Sequence, residues 1–476
     1  MARNRSIARR SFLKRTFTLA GAALAAPNVV PSSVLGLDGN TAPSRRIVAA
    51  QIGVGMMGTG DVQAFMTRFP EVQVIAVCDV DKRSGNVNNV EYGWEPAREI
   101  VEKHYAEKAP SGTYKGCAVY TDYRELLEKE KDLDAVMVAT PDHAHAVVST
   151  AAMQKGKHVY CQKPLVHSVY EARRMAETAR QTKVATQCGT GNYTSEDVYR
   201  LREWILDGAI GPVREVHNWS NRPVWPQGMD RPQETPPVPP GLDWNLWLGP
   251  APERPYHPAY LPFIWRGWYD FGTGALGDMG CYSFDVILRA LRLGHPATVE
   301  ACGSRLHDRV NQESFPQATI VRYQFPERGD MPPVKVAWYD GGLLPPRPDE
   351  LEEDKPLSEW SGGLLFVGDK GKILCDFTGA NPRLIPESKM SAYQQPPQSI
   401  PRSIGHKEEW IEAIKGGQTP GANFEVAGHA SEIILLGNVA LRTGKRLQWD
   451  GPNLTATNAP EAAQYVRREY REGWSL

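Results

Sequence analysis

The feature that most constrains the fold of this chain is a glycine cluster, Gly53-x-Gly55-x-x-Gly58, set between two apolar runs. The first run begins at Arg46, and a helical pattern follows the glycines from Asp61 to Phe69. The second run, Val72 to Cys78, ends on Asp79. A glycine-rich motif alone predicts only a turn. Strand, glycine turn, helix, strand and acid in this order predict a dinucleotide-binding Rossmann unit.

Each part of this turn has a steric or electrostatic reason to receive a dinucleotide. Gly53 permits the tight turn, Gly55 lets the backbone approach a pyrophosphate, and Gly58 lets the helix pack closely on the strand. The helix N-terminus offers free N–H groups and a partial positive charge to the phosphates. The residues predicted to contact the cofactor at this turn are Gly53, Gly55, Met56, Met57 and Gly58.

Asp79 predicts which nicotinamide dinucleotide is bound. Its carboxylate can accept hydrogen bonds from the adenosine ribose and repels a 2′-phosphate, which favours NAD over NADP. The nearby Arg83 keeps NADP possible, because an arginine can accommodate that phosphate.

The N-terminal residues 1–26 have the pattern of a twin-arginine signal peptide. Arg9-Arg10-Ser11-Phe12-Leu13-Lys14 precedes a moderately apolar stretch, Thr16 to Ala25, which is too short to span a bilayer and ends in Ala23-Leu24-Ala25. The alternative is a basic tail with a chance arginine pair. Residues 27–45 are predicted to be a polar linker. We therefore expect export from a bacterial cytoplasm, to the periplasm or beyond.

Export would also constrain the cofactor. A dinucleotide protein outside the cytoplasm has no free nucleotide pool to draw on. The nicotinamide dinucleotide is therefore expected to be tightly bound and regenerated in place.

The charge balance and the cysteines exclude several classes of partner. With 54 basic and 55 acidic side chains the formal net charge is −1, so no nucleic-acid partner is expected. The seven cysteines are dispersed without a C-x-x-C pair, which predicts neither a disulfide framework nor a zinc site, and no metal is expected. No later apolar run predicts insertion into a membrane.

Residues 46–188 alternate between strand and helix patterns, which predicts a doubly wound parallel sheet. Ligands bind at the carboxyl ends of the strands in such a sheet. Three motifs fall at those ends: Thr140-Pro141-Asp142-His143-Ala144-His145, Cys161-Gln162-Lys163-Pro164 and Gln187-Cys188-Gly189-Thr190-Gly191-Asn192.

The first of these motifs supplies candidate cofactor contacts. Thr140 and Pro141 are predicted to lie beside the cofactor, and Asp142 suits the positive end of the helix that follows. His145, one turn into that helix, either faces the cofactor or packs. Capping and packing are the expected roles of His143.

The other two motifs supply candidate substrate contacts. Lys163 follows a buried strand and is fixed by a proline, so we predict that its ammonium projects into the cleft rather than lying on the surface. Such a lysine can orient a substrate hydroxyl or lower the pKa of a neighbouring acid. The amides of Gln187 and Asn192 are candidates for binding sugar hydroxyls, although a hinge would explain the adjacent glycines equally well.

The chain resembles the glucose-fructose oxidoreductase/inositol dehydrogenase family (Gfo/Idh/MocA) over essentially all residues after the predicted signal. The resemblance implies an α/β fold, with an N-terminal NAD(P)-binding Rossmann domain and a C-terminal α/β domain that has a large open, mostly antiparallel sheet. It also implies sugar, inositol or polyol substrates and homo-oligomers built on that sheet. The motifs that carry it are Gly53-Val-Gly-Met-Met-Gly58, Cys78-Asp79-Val80-Asp81, Thr140-Pro-Asp-His-Ala-His145, Gln162-Lys163-Pro164 and Gly277-Asp-Met-Gly-Cys-Tyr-Ser-Phe-Asp285.

Two positions depart from the family pattern. Gln162, which the resemblance places beside the cofactor with Lys163, replaces the glutamate of the usual Glu-Lys-Pro motif. Tyr282 replaces the histidine of the usual Asp-x-x-x-His motif, which serves as general acid/base, while Asp278 is retained. The resemblance thus makes Lys163, Asp278 and Tyr282 the catalytic candidates. A tyrosine can serve if a cation such as Lys163 depresses its pKa from about 10. The alternative is a packing residue in a degenerate site.

Residues 189–450 are predicted to form the second domain, and 451–476 a C-terminal tail. The insertion from Asn221 to Gly274 is rich in proline and tryptophan, which either line a sugar pocket or pack a loop or subunit interface. Trp265 and Arg266 are the candidate substrate contacts. Phe271 to Gly277 is expected to reach the catalytic motif through flexible backbone.

Three functions are compatible with these features. The leading one is an exported NAD(P)-dependent oxidoreductase that transfers a hydride from or to a sugar, polyol or sugar derivative. The second is redox-neutral, NAD-dependent glycoside cleavage by oxidation and elimination. The third is a non-catalytic sugar-binding protein with a degenerate site.

Overall fold

The computed structural model describes residues 45–87, 90–304, 312–358 and 362–476. The predicted signal peptide (1–26) and nearly all of the predicted linker (27–45) lie outside the described residues.

The first domain alternates strands and helices as the pattern predicts. In chain order its elements are β1 (Ile47–Ile52), α1 (Met56–Arg68), β2 (Val72–Cys78), β3 (Ser84–Val87), β4 (Val90–Tyr92), α2 (Trp94–Ala106), β5 (Ala118–Tyr120), α3 (Tyr123–Lys129), β6 (Ala135–Val138), α4 (Asp142–Gln154), β7 (His158–Cys161), α5 (Val169–Thr182) and β8 (Thr186–Cys188).

Six of these strands form one parallel sheet in the order β5-β2-β1-β6-β7-β8, and β3 pairs only with β4. This is the strand order of a Rossmann sheet, in which the chain reverses direction across the sheet between β1 and β6. The strands are apolar because helices cover both faces. The predicted doubly wound parallel sheet is confirmed.

The second domain is built on a nine-stranded sheet. Its elements, with those of the C-terminal residues, are α6 (Glu196–Asp207), β9 (Val213–Ser220), α7 (Trp244–Leu248), α8 (Gly274–Leu291), β10 (Thr298–Gly303), β11 (Thr319–Phe325), β12 (Val334–Tyr339), β13 (Gly362–Gly368), β14 (Lys372–Asp376), β15 (Arg383–Ile385), α9 (Glu387–Ala392), α10 (His406–Ile414), α11 (Phe424–Thr443), β16 (Leu447–Asp450), β17 (Thr455–Ala456) and α12 (Ala463–Val466).

The order of the second sheet is β15-β14-β13-β9-β12-β11-β10-β16-β17, and β9 and β12 form its parallel pair. All other neighbours are antiparallel, so the predicted large, mostly antiparallel sheet is confirmed. Helices α8 and α11 pack together against one face, where the hydroxyl of Tyr323 donates to the carbonyl of Ile434. Helix α11 also packs on α5, which joins the two domains through one apolar core.

By length and composition, α11 is apolar enough to cross a membrane. However, 78% of its most apolar window is buried inside the fold, against α5, α8 and β10. These contacts are those of a core helix.

Helix α8 begins at Gly274, so the expectation of a flexible approach to Asp278 is wrong. The glycines there are required by packing. A Cβ on Gly277 would lie 2.2 Å from Cβ of Thr273, and a Cβ on Gly274 would lie 2.7 Å from the ring of Phe315.

The C-terminal residues contact both domains. β17 adds an edge strand to the second sheet, and the Arg468 guanidinium forms an ion pair of 2.7 Å with the buried Glu171 of α5. Arg471 donates to the carbonyl of Gly249, and the Trp474 ring lies 6.2 Å from the ring of Tyr123. The segment predicted as a tail is therefore an integral part of the fold.

Candidate functional site

A cleft runs along the carboxyl ends of β1, β2, β6 and β7, and residues of the insertion in the second domain also line it. Its empty volume is about 1430 Å³, counting the space open to solvent. Gly53, Gly55, Asp79, Thr140 and Lys163 line its floor. Because it crosses the point where the strand order reverses, the cleft lies where open α/β sheets bind their ligands.

The three glycines at the start of the cleft have the geometry that a dinucleotide requires. Gly53 has a φ of +82°, which L side chains rarely adopt, and a Cβ on Gly58 would lie 1.9 Å from the Gly53 oxygen. A Cβ on Gly55, in contrast, would meet nothing within 4 Å, so this glycine leaves open space at the start of α1. Met56 and Met57 follow in the first turn and line the cleft.

Asp79 fixes this turn and still faces the cleft. One carboxylate oxygen accepts from the Val54 N–H at 2.7 Å, and the other accepts from the Asp81 N–H at 3.0 Å. Burial raises the pKa of Asp79 to about 6, despite these hydrogen bonds, so the side chain is ionised at neutral pH.

The nearby Arg83 is already engaged. Its guanidinium forms ion pairs with three glutamates, Glu91, Glu95 and Glu99. An arginine neutralised in this way is less available to a 2′-phosphate.

His145 does not face the cleft, so its predicted contact with the cofactor is corrected. Its ring nitrogens lie 2.7 Å from the carbonyl oxygens of Thr140 and Pro164, and burial lowers its pKa to about 4. Residues Thr140 and Pro141 do line the cleft. His145 therefore lies beneath the floor, where it holds the turn after β6 against the turn after β7.

Gln162 lines the cleft, and its partner explains why an amide stands at this position. Its side-chain N–H₂ donates to the buried carboxylate of Asp61 at 2.7 Å, and Lys407 binds the other oxygen of that carboxylate at 2.9 Å. A glutamate here would place a second carboxylate against Asp61, whereas the amide supplies a donor.

We expect Gln162→Glu to destabilise the protein by about 1–3 kcal/mol, because it loses a buried donor and gains a like charge. Repulsion raises the pKa of the new carboxyl above its unfolded value, so the loss should grow as pH rises from 5 to 8. Urea unfolding of the parent and the variant at pH 5 and pH 8 measures this loss in the free energy of unfolding. The Asp61→Asn/Gln162→Glu double variant restores a donor–acceptor pair and should recover part of the loss. Equal stability of Gln162→Glu and the parent would contradict this account.

Lys163 is the centre of a charged cluster in the wall of the cleft. Its Nζ donates to the Asp278 carboxylate at 3.0 Å and to the Asp278 carbonyl at 3.2 Å. Nε of Arg266 donates to the same carboxylate oxygen at 3.1 Å. Burial opposes both charges, but the ion pairs prevail, so the pKa of Lys163 is raised and that of Asp278 is lowered.

Tyr282 lies one turn after Asp278 on α8, with Nζ of Lys163 5.2 Å from its ring centroid. Burial raises the pKa of the phenol to about 12, because it outweighs the opposing charge of Lys163. The condition for Tyr282 to act as general acid/base, a pKa that Lys163 lowers from about 10, is therefore not met. At neutral pH Tyr282 keeps its proton.

The structure adds Asp142, whose role in the sequence interpretation was confined to the helix terminus. One carboxylate oxygen accepts from the hydroxyl of Thr273 at 2.8 Å, and the other is buried with no hydrogen bond from the described residues. The side chain is only 1% exposed but belongs to the lining of the cleft. Burial raises its pKa to about 7, although Arg266 and Lys163 act in the opposite direction.

Arg266 and Trp265 line the cleft from the insertion, where they were predicted. The guanidinium carbon of Arg266 lies 4.2 Å from the ring centroid of Trp265 and 4.5 Å from that of Phe263. Phe263, also in the lining, has a φ of +67°, a strained value for an aromatic residue. This arrangement presents a cation and aromatic surface to the cleft.

Gln187 and Asn192 lie elsewhere, so their predicted substrate contacts are corrected. Gln187 is fully buried and donates to the His406 carbonyl at 2.8 Å, because α10 covers this edge of the sheet. The amide N–H₂ of Asn192 donates to the Tyr282 carbonyl at 2.9 Å, so it braces α8 from behind.

Two models of one protein family match the chain. The first, an oxidoreductase family with an NAD-binding Rossmann fold in the Gfo/Idh/MocA group, matches residues 47–190. The second, the C-terminal α/β domain of that oxidoreductase family, matches residues 204–308. Together they match about half of the chain.

Individual relatives match over little more than a third of the chain. The inositol 2-dehydrogenase of Salmonella typhimurium is 28% identical over 170 residues, which are 36% of this chain and 44% of that protein. The alpha-N-acetylgalactosaminidase of Shewanella oneidensis is 30% identical over 189 residues, or 38% of this chain and 37% of that protein. The chain thus spans less than half the length of the curated relatives it matches.

Solved structures share the fold over most of the chain. The WlbA dehydrogenase from Bordetella pertussis, solved in complex with NADH and UDP-GlcNAcA, aligns with a TM-score of 0.54 at 15% identity. The alignment covers 85% of this chain and 99% of the WlbA chain.

Proposed function

Because this chain belongs to the Gfo/Idh/MocA oxidoreductase family, we propose that it is a nicotinamide-dependent oxidoreductase acting on a hydroxyl of a sugar or polyol. One observation carries the proposal. Lys163 and Arg266, which both bind the Asp278 carboxylate, line the same cleft as the glycine turn and Asp79.

The residues of the cleft fit NAD. Gly55 leaves open space at an uncapped helix N-terminus, which suits a pyrophosphate, and Asp79 suits a ribose. NAD is favoured over NADP because Asp79 is ionised and Arg83 is paired with glutamates. When bound, the nicotinamide would accept a hydride from the substrate carbon or return it.

The chain's own residues would bind the substrate and move its proton. Besides its two bonds to Asp278, Nζ of Lys163 hydrogen-bonds the Tyr282 hydroxyl, so it would hold a substrate hydroxyl by exchanging that bond. Asp142 suits the proton acceptor, because a carboxyl with a pKa of about 7 exchanges protons readily at neutral pH. Tyr282, which is not among the residues that line the cleft, keeps its proton and its contact with Lys163.

We also propose that the protein is exported through the twin-arginine pathway and that its nucleotide is held tightly, as Arg9-Arg10 and the absence of a nucleotide pool outside the cytoplasm suggest. Protein purified without added nucleotide should release NAD(H) in near-stoichiometric amounts on acid denaturation, measured by chromatography. A protein that carries no nucleotide and does not bind added NAD(H) would overturn the oxidoreductase proposal. Cell fractionation tests the export.

A second candidate function is redox-neutral glycoside cleavage, which the similarity to a glycosidase over 38% of the chain favours. Transient oxidation of the sugar would acidify a neighbouring C–H, the glycosidic bond would be eliminated, water would add, and the hydride would return. The two functions differ in one measurement. Glycoside cleavage without net change in nicotinamide absorbance supports this candidate, and net NADH formation from a free sugar or polyol supports the first.

We propose further that the protein forms a homo-oligomer through the second sheet. Its face beside Glu215, His217, Arg322 and Lys335 forms an open groove rather than a covered core. Sedimentation equilibrium tests this, because a monomer at micromolar concentration would contradict it.

A further inference from the structure

A small cavity with several polar side chains in its wall lies between the C-terminal segment and the body of the protein, separate from the cleft. Its volume is about 50 Å³, several times the roughly 10–15 Å³ that one water requires. Arg468 and Gln464 line it from the C-terminal segment, and His167, Tyr269 and Arg442 line it from the body.

The cavity contains a surplus of donors. The hydroxyl of Tyr269, Nε of Arg442 and Nη1 of Arg468 are buried and make no hydrogen bond with the described residues. Neither ring nitrogen of His167 makes a hydrogen bond of normal geometry there. Tyr269 as a residue is only 4% exposed. Unpaired buried polar groups are costly, so a ligand that accepts hydrogen bonds would be strongly favoured.

The cavity also carries an uncompensated positive charge. No Asp or Glu is among its lining residues. Glu171 binds Arg468 and the Tyr470 hydroxyl with one oxygen, and backbone N–H groups with the other. Arg442 lies 4.6 Å and 4.3 Å from the ring centroids of Tyr269 and Tyr465, and it has no carboxylate partner in the described part of the chain.

We propose that this cavity binds a small oxyanion, which joins Arg442 of the body to Arg468 of the C-terminal segment. A sulfate, phosphate or carboxylate supplies acceptors only, and guanidinium groups bind such oxygens with strong, charge-assisted hydrogen bonds. The site would fasten the segment that carries Trp474 to the wall of the cofactor cleft, and it is independent of the reaction proposed above.

Calorimetric titration of the purified full chain with sodium sulfate tests the proposal, at an ionic strength held constant with sodium chloride. We expect saturable binding and, at a hundredfold excess over Kd, a rise in Tm of about 3–5 °C. Phosphate and acetate form parallel arms that identify the preferred oxyanion. Absence of binding in all three arms, or an equal effect of chloride, would overturn the proposal.

Variants locate the site. Arg442→Gln should weaken sulfate binding about 10–100-fold, because a buried charge-assisted interaction is lost. Tyr269→Phe removes only a hydroxyl and should weaken sulfate binding several-fold. This second variant tests the site even if Arg442→Gln fails to fold. Arg467→Gln is the matched control, since this exposed arginine stacks on Tyr170 instead. Unchanged sulfate affinity in both Arg442→Gln and Tyr269→Phe would place the anion elsewhere and refute the proposed site.

Discussion

Replacing Lys163 by methionine should lower kcat for sugar or polyol oxidation by a factor of about 10²–10⁴, the range for a side chain that assists proton transfer. Methionine keeps the length of the side chain, and Arg266 still pairs with Asp278. The fold and the affinity for NAD should therefore change little. Steady-state rates of NADH formation over a panel of polyols, together with fluorescence titration of NAD, separate the two effects.

The control is Lys155→Met, which removes a surface lysine that pairs with Glu128 at the end of α4. It should leave kcat and the affinity for NAD unchanged. If Lys163→Met turned over as fast as the parent, Lys163 would have no catalytic role. If the parent and the variant both bound sugars but neither showed turnover, the non-catalytic function would be favoured.

Asp142→Asn should make the protein more stable but less active. In the folded protein the pKa of Asp142 is about 7, against 3.8 for a free side chain. Above pH 4 the unfolded chain ionises this group while the folded chain retains its proton, so the parent loses stability as pH rises towards 7. An asparagine at this position can still accept the hydrogen bond from the Thr273 hydroxyl, and it carries no charge at any pH. We expect a gain of up to about 4 kcal/mol at pH 8 and almost none at pH 3.

The same variant should reduce kcat by about 10²–10⁴, and the parent's rate should rise with pH through about 7 as Asp142 ionises. Urea unfolding at pH 4, 6 and 8 and a pH–rate profile check both parts. Asp122→Asn, at the N-terminus of α3, is the control: it alters a carboxylate at a helix start that is outside the cleft. A stability gain that is independent of pH would show that the pKa of Asp142 is the same in the folded and unfolded chains, contrary to the burial argument.

Features set by local chemistry could be predicted from the sequence. The glycine turn follows from the steric needs of Gly53 and Gly58, and the parallel sheet follows from alternating apolar runs. Lys163 was predicted to enter the cleft because it follows a buried strand directly, where the chain has little freedom.

Features set by contacts between distant parts of the chain could not be predicted from the sequence. The side chain of Gln187 binds α10, which lies more than 200 residues later in the chain. The raised pKa of Asp142 depends on its burial beside Thr273, which is also distant in sequence. Whether the pKa of Tyr282 is raised or lowered depends on the balance between burial and the charge of Lys163, and the spacing of residues in the sequence does not show that balance. Side-chain direction and burial, rather than element type, are thus where sequence reasoning failed.

The position of Trp474 has a consequence for how the protein is made. This residue lines the cleft that Gly53 begins, so the wall of one site joins the earliest and the latest described parts of the chain. During translation the glycine turn emerges from the ribosome long before residue 474, and the Rossmann sheet can form around a pocket that is still open on one side. Nucleotide can enter the nascent chain at that stage, and the docking of the last segment then adds Trp474 to the wall of the cleft.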